Sequence, residues 1–137
     1  MTEPLVVRRT IPIARERVFD AWLDPARLAR FMQPGSTARA TAELDPRVGG
    51  RFRIVMYHPN ASSGTEHTGE YLLIDRPRRL SFTWRSTNTG DRDTTVTIDF
   101  LDRDGATEIV LTHTQLPPNQ LEGHRKGWSE ILAALDA

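Results

Sequence analysis

Apolar and polar residues alternate with a period of two along much of the chain. Phe52, Ile54 and Met56 alternate with Arg51 and Arg53 up to Tyr57, and Leu80, Phe82 and Trp84 alternate with Ser81, Thr83 and Arg85. Val96, Ile98 and Phe100 alternate with Thr95, Thr97 and Asp99. Ile109 and Leu111 share a parity opposite to Glu108, Val110 and Thr112. This is the period of a strand with one face buried. Leu5–Ile11, ended by Pro12, and residues 68–74 read as further strands, and residues 37–44 as a weaker one. Turn chemistry separates them: Asp45-Pro46-Arg47-Val48-Gly49-Gly50, Asp75-Arg76-Pro77-Arg78 and Asp102-Arg103-Asp104-Gly105, with a polar loop from Pro59 to Gly64. In the first turn the pattern predicts a positive φ at Gly49 or Gly50 and a bracing Asp45–Arg47 ion pair.

Three stretches switch to helical spacing. Val18, Phe19 and Trp22 mark a helix over 14–23. Asp24 then caps a shorter helix opened by Pro25, carrying Leu28 and Phe31 and closed by Pro34-Gly35. After Pro117-Pro118, Asn119 is the expected N-cap of the last helix, with Glu122 three residues on. Leu121, His124, Trp128, Ile131, Leu132 and Leu135 form one stripe along it. The predicted order is strand, two helices, six strands, one helix. This is an α+β fold: a curved antiparallel sheet with one apolar face, wrapped around the C-terminal helix that covers it. A chain of 137 residues suits one domain over 1–137.

Composition narrows the function classes. Formal net charge is zero, and the arginines are dispersed and matched by acids, so no nucleic-acid partner is expected. No apolar run reaches the ~20 residues of a membrane span, and the first residues show no signal peptide. Cysteine is absent, which excludes thiol catalysis, thiolate metal sites and disulfides and fits a cytoplasmic location. His58, His67 and Glu66 flank one loop without metal-ligand spacing, so neither a metal nor another cofactor is expected. An exposed edge strand leaves monomer and homodimer both open.

Several stretches carry a family resemblance: Pro12-Ile13 with Val18-Phe19-Asp20-Ala21-Trp22 and Asp24-Pro25; 45–52; Gly69-Glu70-Tyr71 with 77–84; 95–100; 107–113; and Gly127-Trp128. Taken in order, the sequence resembles the activator of Hsp90 ATPase C-terminal-like family. That family lies within the START/SRPBCC superfamily of helix-grip, Bet v 1-like folds. The resemblance implies a sheet gripping a long helix. It also implies a choice among carriers of small molecules, cyclase-like enzymes and co-chaperone domains, which fold alone does not settle.

A ligand is expected in the gap between sheet and C-terminal helix. Strand parity nominates Phe52, Ile54, Met56, Leu72, Phe82, Trp84, Ile98, Phe100 and Leu111 as its walls, with Phe31 and Trp128 from the helices. His113 shares the parity of Ile109 and Leu111, and His124 lies on the helical stripe. Both are candidate polar anchors or acid–base groups. Glu70 joins them by the parity of Leu72 and Ile74, unless a bulge after Gly69 turns Tyr71 inward instead. Gly123 and Gly127, four apart in the helix, imply either close backbone approach or space kept open. The preferred expectation is binding of a small apolar or amphipathic molecule, with no catalytic residue assigned. The alternatives are an acid–base enzyme on the same cavity, such as a cyclase, dehydratase or hydrolase, and a chaperone-linked stress-response protein using Arg76, Arg78 and Arg79.

Overall fold

In the computed structural model, which describes residues 3–135, seven antiparallel strands form one curled sheet. Met1, Thr2, Asp136 and Ala137, part of the expected 1–137 domain, lie outside the described residues. The strands are β1 (Leu5–Ile11), β2 (Arg39–Leu44), β3 (Arg51–Tyr57), β4 (Thr65–Asp75), β5 (Arg79–Trp84), β6 (Thr94–Arg103) and β7 (Ala106–Thr114). The helices are α1 (Arg15–Ala21), α2 (Pro25–Phe31) and α3 (Leu121–Ala134). The expected element order and helix-grip architecture are therefore present. The sheet order is β1-β7-β6-β5-β4-β3-β2, so β2 to β7 form a meander and β1 closes beside β7.

The inner face is built by the period-two residues. Leu80, Phe82, Trp84, Val96, Ile98, Phe100, Ile109 and Leu111 are all buried. α3 covers them with Trp128, Ile131 and Leu132. Arg9 of β1 fastens its far end, donating from Nη1 to the carbonyls of Leu132 and Leu135, the latter at 2.9 Å. These carbonyls belong to the last turn, which has no further helical donors. α1 lies on β6 through an edge-to-face pair, Phe19 on Phe100 at 5.1 Å. The outer face carries cross-strand ion pairs such as Arg79–Asp99 at 2.7 Å and Arg103–Glu108 at 2.8 Å.

Local chemistry behaves as predicted in two turns. Gly49 takes φ +85°, and the Arg47 guanidinium lies 2.9 Å from the Asp45 carboxylate. In the tight turn between β6 and β7, Asp104 and Gly105 both have positive φ, the geometry that matches strand twist. The α3 start differs from expectation. Pro118–Gln120 forms a 3-10 turn, Gln120 takes the cap position, and no side chain caps the helix there. Asn119 is therefore not the cap: the turn itself binds Gln120 N–H to the Pro117 carbonyl at 2.9 Å.

β4 holds the main correction. It pairs with β5 through Tyr71↔Phe82 and then Leu73↔Ser81, so Leu72 is an extra residue that bulges out. Ahead of the bulge, His67, Gly69 and Tyr71 face the core, while Glu70 faces out and lies 3.9 Å from Arg51. Leu72 and Leu73 are both exposed. Glu70 and Leu72, expected at the cavity, are thus outside it, and Tyr71 takes the inward place. Gly69 is required here. A Cβ would sit 2.0 Å from the Thr83 carbonyl oxygen and 2.4 Å from the Phe52 ring, which lies across it from β3.

Candidate functional site

The space between sheet and α3 divides into a filled end and an open end. At the filled end, Phe52, Ile54, Tyr71, Phe82 and Trp84 meet Trp22, Leu28 and Met32 around a residual space of about 10 Å³. That volume holds one water at most. The aromatic rings interlock: Phe52 stands edge-on to Phe82 at 5.3 Å, and Trp22 edge-on to Phe31 at 5.0 Å. Phe31, Ile98, Phe100 and Leu111 are likewise buried in this core. These residues, expected as cavity walls, pack against one another.

At the open end a cleft of about 280 Å³ lies beside the first three turns of α3. Met56, Trp84, Trp128 and Ile131 form its apolar wall. Loops supply the rim: Pro34 and Thr37 after α2, His58 after β3, and Asn88 in the 3-10 turn that follows β5. Thr65 and His67 enter from the start of β4, and Gln120, Gly123, His124 and Gly127 from α3. Of the expected ligand residues, Met56, Trp84, His124 and Trp128 line this cleft. His113 stands directly behind its wall.

His113 is fully committed. The Trp128 indole Nε1–H donates to its Nδ1 at 3.0 Å, so the ring proton resides on Nε2. That proton goes to Thr94 Oγ1 at 2.7 Å, and the Thr94 hydroxyl donates in turn to the Trp84 carbonyl at 2.6 Å. Burial, with His124 nearby, pushes the His113 pKa down to about 3. A neutral ring with both nitrogens bonded inside the protein cannot exchange a proton with a ligand. His113 is a clasp between α3 and the sheet.

His124 is committed on one side. Its Nδ1 lies 3.0 Å from the Gln120 carbonyl, which only accepts, so Nδ1 carries the proton. Nε2 is then a lone-pair acceptor with no protein partner among the described residues. Burial lowers the pKa of this half-buried ring. His67 lies against Trp84, ring centres 4.8 Å apart, with its Nδ1 buried and unpartnered. Burial holds its pKa near 4. The two glycines answer the question their spacing raised. The nearest atom to a Cβ at Gly123 would be Gln120 Oε1 at 4.0 Å, and at Gly127 it would be the Pro34 Cβ at 3.9 Å. No backbone approaches closely; the missing side chains leave the cleft open.

All four histidines of the chain therefore meet at this one place: His58, His67 and His124 line the cleft and His113 backs it. Among the described residues, no group of three His, Cys, Asp or Glu side chains is placed to hold a metal ion. His67 was visible in the sequence only as a loop neighbour; its parity with Gly69 and Tyr71 was the signal that finds it. The loop residues Pro34, Thr37 and Asn88 carry no periodic signal.

The family model for Activator of Hsp90 ATPase homolog 1-like protein matches residues 12–137. The chain belongs to that family. A search of curated proteins finds no sequence match. Among solved structures, this chain is similar to protein CV1439 from Chromobacterium violaceum, with a TM-score of 0.83 and 22% identity over 98% of this chain and 95% of that one. It is similar to a protein from Arthrobacter aurescens, with a TM-score of 0.83 and 20% identity over 97% of this chain and 83% of that one. An Hsp90 activator from Plasmodium falciparum also matches, with a TM-score of 0.73 and 25% identity over 94% of this chain and 89% of that one. These likenesses to solved structures establish the helix-grip fold. Among the described residues, no helix is long and apolar enough to cross a membrane.

Proposed function

We propose that this family member binds a small, largely apolar molecule in the cleft between α3 and the sheet. The observation that carries the reading is the pair of glycines, Gly123 and Gly127, inside a 14-residue helix with room for a Cβ at each. Each glycine costs about 1 kcal/mol of helix stability against alanine. Packing does not require either one, and what they keep is open volume at the cleft wall. A bound ligand would bury apolar surface against Met56, Trp84, Trp128 and Ile131, worth roughly 25 cal/mol per Å². Desolvation is thus the driving force and the polar rim sets orientation. The commitment of both His113 nitrogens favours binding over acid–base chemistry at that residue.

Uptake of the uncharged dye Nile red, followed by fluorescence, tests this reading together with thermal unfolding. Gly123→Ala/Gly127→Ala should raise stability by about 2 kcal/mol in sum. The same variant should weaken dye binding, because two methyl groups enter the cleft. Undiminished uptake by the stabilised variant, or none by the parent protein, would remove the proposed site.

A further inference from the structure

Charge is missing where this chain is otherwise rich in it. A quarter of the residues are Asp, Glu, Lys or Arg, yet none of these is among the fourteen residues that line the cleft. An ion entering it would shed hydration without meeting a counter-charge, which is costly in a partly desolvated site. The lining therefore disfavours a charged occupant. The polar groups go further. His124 Nε2 is an acceptor whose polarity is set, because Nδ1–H is already given to the Gln120 carbonyl. Gln120 and Asn88 carry amides that can present either a donor or an acceptor, so neither fixes a preference. His67 at the same wall has no tautomer fixed by a hydrogen bond and its Nδ1 is buried away from the cleft, so it sets no preference. The fixed unmet demand of the half-buried wall is for a donor.

We infer that the ligand is a neutral, mainly apolar molecule bearing a hydroxyl, an alcohol or a phenol, whose O–H is accepted by His124 Nε2. This rests on the proposed cleft and adds the polarity of its occupant. The apolar body lies against the Trp84 and Trp128 indoles, whose ring centres are 5.0 Å apart, and the hydroxyl turns toward α3. Methylating the hydroxyl removes the donor while keeping the shape nearly the same. Replacing it by carboxylate brings a charge for which the lining offers no partner.

The test uses three two-ring probes on the intact protein near neutral pH: 2-naphthol, 2-methoxynaphthalene and 2-naphthoate, titrated by calorimetry and tryptophan quenching. The expected order is naphthol tightest, the methyl ether about five-fold weaker, as one net hydrogen bond of about 1 kcal/mol implies, and naphthoate weakest. In His124→Phe, which keeps a ring at the wall, naphthol and its ether should bind alike. In His124→Leu the same levelling is expected, so the outcome does not depend on one variant folding. Equal binding of naphthol and ether by the parent protein would overturn the donor rule while leaving the apolar cleft standing. Preference for naphthoate would overturn the neutrality argument. Failure of all three probes to bind would overturn the cleft and this inference together.

Discussion

Both nitrogens of His113 are spent on neighbours from two elements, Trp128 of α3 and Thr94 of β6, and this makes a testable claim about Thr94. Its hydroxyl accepts from His113 Nε2 and donates to the Trp84 carbonyl, at a fully buried site. Thr94→Val preserves shape and raises strand propensity by up to about 1 kcal/mol, but it strands a buried N–H and its carbonyl partner. Leaving such groups unmet costs about 1–3 kcal/mol. Thr94→Ser keeps the hydroxyl and loses one methyl, worth about 0.8 kcal/mol. Urea unfolding should therefore rank Val below Ser, against the order that strand propensity alone dictates. A Val variant as stable as the Ser variant would mean the chain of bonds contributes nothing.

The seven-residue helix α2 is short enough to depend on its ends. Asp24 Oδ1 accepts from the N–H groups of Ala26 at 3.0 Å and Arg27 at 3.3 Å, and Pro25 follows where no donor is needed. Asp24→Ala should cost about 1 kcal/mol, and Asp24→Asn much less, in the same unfolding assay; equal losses would point to charge and not capping. Features of this kind were legible in the sequence, because a cap, a proline and an apolar period are local. The meander strands were legible for the same reason. The bulge at Leu72 was not: Leu72-Leu73-Ile74 is an unbroken apolar run, so parity leaves the inward residue undetermined until the partner strand is in register. The site divided likewise. His113 and His124 follow from parity and helical stripe, whereas the rim residues Pro34, Thr37 and Asn88 come together through loop closure over long sequence distances. That one end of the gap is packed solid depends on how these aromatic and aliphatic side chains interlock, which no period encodes.

Across the whole molecule, the clustering of histidines couples stability to acid. His67 and His113 are held near 4 and 3, and His124 is lowered too, all principally by burial, against an ordinary value of 6.5. Between about pH 6.5 and pH 4 the unfolded chain therefore takes up protons on these rings that the folded chain refuses. Stability must fall as pH falls through that window, by up to about 1.4 kcal/mol per pH unit for each ring involved, and the contribution is fully present above pH 6.5. The interval from pH 6.5 to 5 lies above the ordinary carboxylate range and so reads chiefly the imidazoles. Urea unfolding across that interval should show a steady decline. His67→Phe separates this linkage from general acid sensitivity. The position is buried against Trp84 and its Nδ1 has no partner, so an apolar ring of similar shape should cost little at pH 7. It should also flatten the decline by about one ring's share. A parent protein whose stability stays level from pH 6.5 to 5 would show that the cluster binds protons as easily folded as unfolded.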